Sequence, residues 1–291
     1  MCSTPAIPFN DLPYELQREG SEMVRLHSTE LSPNDHHALI NSVILVNRIQ
    51  PYIYHMVTLG EHDADLFIRT VDSKPPEFFA VHVERLCLSV SVPPAKASRI
   101  LNVCKGAVDL ALWVDFGGKL PPTGAAAYVS SLSLKRLSIE HEHLLSFLSA
   151  PRTISPPWYK TLTHLEIVFW KHTASPTIPG LDKLTSLTHL TLGLRHSVIE
   201  EPWLSAIVAS CPRLQVLVPL ADEDDPVEDT FLLGKCWIVP MHYPPSVVEN
   251  WEASFWGLPD IFTRAQEEIQ LKQSSESSKR APSSEQDAIS Q

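Results

Sequence analysis

The sequence predicts an α/β fold, a short helical head followed by a parallel sheet built from repeated strand-and-helix units. Three observations carry that prediction. The phrase Leu162-Thr163-His164-Leu165-Glu166-Ile167 recurs as Leu187-Thr188-His189-Leu190-Thr191-Leu192, 25 residues on (187 − 162). Its pattern (apolar, two variable, apolar, one variable, apolar) fits further stretches starting at 83, 108, 134 and 214, so the six copies are separated by steps of 25, 26, 28, 25 and 27 residues. Ahead of the repeats, two stretches with helical spacing and Pro-marked ends precede Pro51.

The head comes first in the chain. Asp11 is a helix cap and Pro13 fits a first helical turn. Leu12, Leu16, Met23 and Leu26 then share a face. A second helix starts near Asn34 or Asp35, carries Leu39, Ile40, Val43, Leu45, Val46 and Ile49, and stops at Pro51. In each repeat the last three template positions alternate as a short strand does. The copies are Val83–Leu88, Val108–Trp113, Leu134–Ile139, Leu162–Ile167, Leu187–Leu192 and Leu214–Pro219. The intervening residues form covering helices on the convex side. Between Pro202 and Pro212, the residues Leu204, Ile207, Val208 and Cys211 fall on one helical face, and Ser98–Cys104 is a weaker version. Ala221–Thr230 holds six acids in ten residues and reads as a solvated acidic loop, since it lacks the spacing and the Gly of a calcium loop. From Lys272 on, the chain is Ser-rich and nearly free of large apolar residues, which predicts disorder.

The repeat spacing resembles that of leucine-rich repeats, and "CPRLQVL" (Cys211–Leu217) resembles their helix-to-strand passage in F-box proteins. The Asn usual eight residues after the first apolar position is absent. Ser91, Phe116, Glu142, Trp170, Arg195 and Asp222 stand there. "LPYELQRE" (Leu12–Glu19) is similar to the opening of an F-box, and "IQPYIYHMV" (Ile49–Val57) to the end of the F-box-like segment in a large family of mushroom-type fungal proteins. Trp251-Glu252-Ala253, Phe255-Trp256-Gly257 and Asp260–Ala265 resemble that family's closing helix. The resemblance implies an F-box-like segment over 8–60, an irregular leucine-rich-repeat solenoid over 78–222, a C-terminal capping region with a helix over 223–271, and the Ser-rich tail 272–291. It implies a substrate-recruiting subunit of a cullin–RING ubiquitin ligase, docked on a Skp-type adaptor through Leu12, Pro13, Leu16, Ile40 and Leu45. Gly20 stands where the family has a large aliphatic residue, and Arg48 lies near the place of its usual Trp. The alternative is a leucine-rich binding scaffold whose degenerate head only caps the repeats.

Composition and motifs narrow the function classes. The 291 residues suffice for about two domains, with 44% hydrophobic and 20% charged residues. A net charge of −11 speaks against nucleic acid as the main partner. The opening MCSTPAIPFN predicts no secretory signal, and no stretch has the ~18 apolar residues of a membrane span. Five scattered Cys point to reduced thiols in the cytosol or nucleus. His141-Glu142-His143 lacks the second His spacing of zinc proteases, since Leu145 follows, and reads as exposed polar residues after a strand. Gly117-Gly118-Lys119 is followed by Leu120 rather than Ser or Thr, so it reads as a turn and not a phosphate loop. There is no G-x-S-x-G elbow and no CxxC zinc pairing. The expectation is a non-catalytic chain with no cofactor and no metal.

What remains is the outward, concave face of the sheet. The third position of each phrase gives Arg85, Leu110, Arg136, His164, His189 and Val216, and the fifth gives Cys87, Leu112, Ser138, Glu166, Thr191 and Val218. Arg85, Arg136, Ser138, His164, Glu166, His189 and Thr191 are therefore the candidate partner-binding residues, with an acidic segment as the fitting partner. The plainer alternative is a solvated sheet face.

Overall fold

A computed structural model describes residues 52–117, 120, 124–149, 155–170, 178–194 and 201–280. The head, with Leu12, Pro13, Leu16, Ile40 and Leu45, lies outside the described residues, as do Gly118, Lys119, Arg195 and the tail beyond Arg280. The fold is mixed α/β, with a mostly parallel sheet that is not closed into a barrel. The chain divides into two units, one up to Leu162 and one from Thr163.

The first unit has four parallel strands, β1 (Met56–Leu59), β2 (Arg85–Leu88), β3 (Asp109–Leu112) and β4 (Arg136–Glu140), each paired with the next in chain order. Between them run α1 (Glu61–Ser73), α2 (Pro76–His82), α3 (Pro94–Val103) and α4 (Ala125–Ser131); α5 (His141–Ser149) and α6 (Trp158–Thr161) follow β4. Local chemistry fixes the helix starts. The Gly60 N–H donates to the Asp63 carboxylate, and Glu61 and Asp63 place negative charge at the positive end of α1. Proline opens α2 and α3, where a missing N–H costs nothing. Ala97, Ile100 and Leu101 form the buried stripe of α3. Gly106 has a steric reason to be glycine, since a Cβ there would lie 2.1 Å from the Ala80 carbonyl oxygen.

One hydrogen-bond device repeats. Glu84 and Arg85 both donate their N–H to the His55 carbonyl, Val108 and Asp109 to that of Glu84, and Lys135 and Arg136 to that of Val108. The second unit repeats it, with Thr188 and His189 donating to Thr163, and Gln215 and Val216 to Thr188. At these five steps the strand starts on the second template residue of the strand before it.

This ladder corrects the sequence reading twice. Among the described residues the first strand is β1, inside the stretch assigned to the head: Tyr54, Val57 and Leu59 satisfy the template and are buried. The second copy is also shifted by one residue. Arg85 pairs with Asp109 and Asp109 with Arg136, so the phrase runs from Ala107 to Leu112, and a one-residue slip exchanges the two faces of a strand. Leu110 and Leu112, placed on the outward face from sequence, pair with Leu86 and Leu88, and all four are fully buried.

The second unit pairs β5 (His164–Phe169), β6 (His189–Leu194) and β7 (Val216–Ala221) in parallel. β7 also pairs with β9 (Cys236–Ile238) and β10 (Met241–His242), and β8 (Phe231–Leu233) closes a hairpin on β9. A short 3-10 turn (Leu181–Lys183) precedes β6, and α7 (Glu201–Ser210) precedes β7, where the sequence pattern predicts a helix. Beyond the sheet lie α8 (Val247–Ala253) and α9 (Ile261–Arg280). The Ser246 hydroxyl caps α8 by accepting from Glu249 N–H. The buried Asp260 carboxylate caps α9, accepting from both the N–H and the hydroxyl of Thr263.

The Ser-rich stretch departs from expectation, because α9 continues to Arg280. Ser274, Ser275 and Ser277 turn their hydroxyls back onto helix carbonyls of Gln270, Lys272 and Gln273. Their polar groups are met within the helix and do not compete with it.

Candidate functional site

The outward third-position column of the first unit is an ion-pair ladder. Asp109 is 4% exposed. Its Oδ2 lies 4.0 Å from Arg85 Nη1 and 3.6 Å from Arg136 Nε, one guanidinium on each neighbouring strand. A carboxylate so deeply buried is tolerated because both flanks carry opposite charge. The column expected to be basic is thereby partly neutralised from within, and Arg85 and Arg136 are half-buried.

The fifth-position column of that unit is Cys87, Ala111 and Ser138, all buried. Trp113 explains the burial of Ser138, since its indole N–H donates to the Ser138 hydroxyl at 2.8 Å. Farther along, His141 and His143 are also buried, not exposed as the sequence reading has them. Glu140 holds His143 in place. Its Oε2 accepts from His143 N–H at 2.9 Å and lies 3.6 Å from His143 Nδ1, while Phe116 meets the His143 ring edge-on. The trio thus starts helix α5 locally.

In the second unit the twin LTHL phrases generate one geometry twice. Thr163 Oγ1 lies 2.9 Å from His164 Nδ1, and Thr188 Oγ1 lies 2.9 Å from His189 Nδ1. The two imidazoles stack at 4.3 Å with planes 6° apart. The Thr188 hydroxyl has one proton and donates it to the Thr163 carbonyl. The same hydroxyl thus touches both the Thr163 carbonyl and the His189 ring, and so ties β6 to β5. Phe262 of α9 meets both rings edge-on, at 4.9 and 5.8 Å.

Phe262 belongs to a cap over this face. Ile261, Phe262, Ala265 and Ile269 join Val216, Val218, Leu220 and Val239 in one buried cluster. Thr191, paired between Glu166 and Val218, is fully buried. Of the seven residues expected to form a partner surface, Arg85, Arg136, His164, Glu166 and His189 reach solvent in part, whereas Ser138 and Thr191 do not. Phe262 and Asp109 were missed in the sequence. Asp109 was hidden by the register slip, and Phe262 had no repeat pattern to mark its partner.

Three buried thiols are chemically quiet. Burial pushes the Cys104 thiol far above its ordinary range. Burial, then the Asp182 carboxylate, pushes Cys211 up to about 11. Burial, then Cys211, pushes Cys236 up to about 12. None is poised as a thiolate near neutral pH. Among the described residues, no group of three or more His, Cys, Asp or Glu is placed to hold a metal ion, and no helix is long and apolar enough to cross a membrane.

Two hollows flank the 225–230 loop. One, of about 630 Å³, lies between that loop and α9, with Glu228, Asp229, His242, Arg264, Glu268 and Lys272 in its lining. The other, of about 250 Å³, is walled mainly by Leu204, Pro219, Leu220, Phe231 and Ile238. Compared with protein-family models, curated proteins and solved structures, the chain finds no match.

Proposed function

We propose that this chain is a non-catalytic protein-interaction module, a leucine-rich solenoid behind an F-box-like head that brings a protein substrate to a cullin–RING ubiquitin ligase through a Skp-type adaptor. The observation that carries the reading is the repeated ladder, in which five strand starts are each fixed by two N–H bonds to one carbonyl of the strand before. Stacks of this kind present continuous surfaces, and their chemistry resides in what those surfaces hold. The outward residues fit contact with a partner: Arg85 and Arg136 in the first unit, and His164, Glu166 and His189 in the second. In this reading Leu12, Pro13, Leu16, Ile40 and Leu45 line the adaptor-facing groove, and the protein works in the cytosol or nucleus.

Gly20 favours a second reading, a leucine-rich scaffold whose head no longer docks. A Gly inside a helix costs about 1 kcal/mol relative to Ala and supplies no anchor. Co-purification with a Skp-type adaptor separates the two. Capture of the wild type, lost in the combined Leu12→Ala, Pro13→Ala and Leu16→Ala variant, supports the adaptor role. No capture of either leaves the scaffold.

A further inference from the structure

The two hollows beside the 225–230 loop form a composite surface that the repeat face does not account for. They share Val227, Glu228 and Pro240 in their linings, so they are two rooms on either side of one wall. The smaller has apolar walls, with Leu204, Leu220 and Ile238 buried, and opens beside the exposed Asp225 and Glu228. Its 250 Å³ leaves room for an aliphatic side chain to enter. The larger carries Glu228, Asp229 and Glu268. Among the described residues, no Lys or Arg forms a salt bridge with Asp225, Glu228, Asp229 or Glu268. One of the two cations in the larger hollow, Arg264, is directed to the Asn250 side-chain oxygen at 3.1 Å. These acids are also not gathered into a group able to hold a metal ion, so their charge is spread along a surface rather than focused on a point.

We propose that this surface docks an extended basic segment of a partner protein. One aliphatic side chain enters the apolar hollow, and Lys or Arg residues on either side meet Asp225 and Glu228 on one flank and Asp229 and Glu268 on the other. The match is one of charge and shape together. The four acids Asp225, Glu228, Asp229 and Glu268 outnumber the two cations of these linings, Arg264 and Lys272, so on a chain of net charge −11 they draw a basic segment in, and the apolar room gives the segment a register. Phosphate-bearing partners are repelled by the same acids. The site is distinct from the outward sheet face, and its failure would leave the adaptor reading untouched.

The test is fluorescence anisotropy of the full chain with a labelled Lys-Arg-Leu-Lys-Arg peptide and its Leu-to-Asp counterpart, at physiological salt. The Leu peptide is expected to bind about tenfold or more tighter, a difference of about 1.4 kcal/mol. Val227→Trp, which fills the shared wall from the loop side, and Glu228→Lys are each expected to weaken binding by at least that factor. Glu276→Lys, the same charge change on an exposed turn of α9, is expected to leave binding unchanged. Circular dichroism checks that the variants are folded. Equal binding of the two peptides, an equal loss in Glu276→Lys, or loss in Glu228→Lys without loss in Val227→Trp would reduce the site to diffuse charge attraction and overturn the proposal. So would absence of binding at physiological salt.

Discussion

The third ladder position reads Arg85, Asp109, Arg136 in the first unit and His164, His189, Val216 in the second. The backbone device beneath them is the same, with two N–H groups on one carbonyl at each step. The difference lies in how each unit manages a crowded outward column. The first alternates charge, so that a buried carboxylate is held between two guanidiniums. The second stacks two imidazoles, fixes them through neighbouring Thr hydroxyls, and closes over them with Phe262. Repetition of the backbone therefore does not impose repetition of the surface. One unit keeps polar groups at its outward face, and the other spends part of that face on its own C-terminal helix.

The comparison can be broken from either side. The largest effect is expected from Phe262→Ala, which removes the ring that spans the His pair and joins the apolar cluster on β7. Loss of a buried Phe costs about 3–5 kcal/mol, read as a lower denaturant midpoint. A near-neutral result would mean that α9 does not hold the second unit together. Asp109→Ala is expected to cost about 3 kcal/mol, because two arginines lose the charge between them. In the combined Arg85→Ala/Asp109→Ala chain the loss should be smaller than the sum of the single losses. Additive losses would show that the ladder carries no coupling.

Gly193→Ala sharpens the comparison on a smaller scale. A Cβ at Gly193 would sit 2.7 Å from the Tyr243 hydroxyl, and crowding of this kind costs about 1 kcal/mol or slightly more. Tyr243→Phe removes the clashing oxygen and should recover most of the loss in the double variant. The smallest effect at neutral pH is that of the thiols. Cys211 and Cys236 are raised from 9.0 to about 11 and about 12 in the fold. The unfolded chain therefore loses its thiol protons first. Their contribution to stability is complete below pH 9 and falls as pH rises from 9 toward 11 and above. In a Cys2→Ser chain, thiol-reagent kinetics on the folded protein should be slow near pH 8 and speed up only on unfolding. Fast modification of Cys211 or Cys236 in the native protein would contradict that burial.

Strands with strong alternation were legible in the sequence. The copies at 83, 134, 162 and 187 fall on β2, β4, β5 and β6, because Leu or Ile at two-residue spacing leaves a single choice of face. At β3 that signal failed. Asp109-Leu110-Ala111-Leu112 is buried on both faces, so an apolar run offered two registers and the template chose the wrong one. β1 was hidden by the resemblance of its sequence to the end of an F-box-like segment, although Tyr54, Val57 and Leu59 fit the template. The outward column at His164 and His189 was found because the twin phrase repeats its Thr. Burial of Ser138 and Thr191 was not legible, since Trp113 and the face shared with Val218 are brought there by tertiary packing. Helix α9 beyond Leu271 was missed because exposed Ser, Gln and Lys carry no periodic apolar signal.

The account rests most heavily on the head as an adaptor-docking device ahead of the repeats. Calorimetric titration of the purified full chain with a purified Skp-type adaptor tests this directly, alongside the Leu12→Ala, Pro13→Ala, Leu16→Ala variant. The account predicts one-to-one binding by the wild type and none by the variant, with the same thermal unfolding for both. Absence of binding by the wild type, or equal binding by the variant, would contradict it and leave a binding scaffold without a link to the ligase.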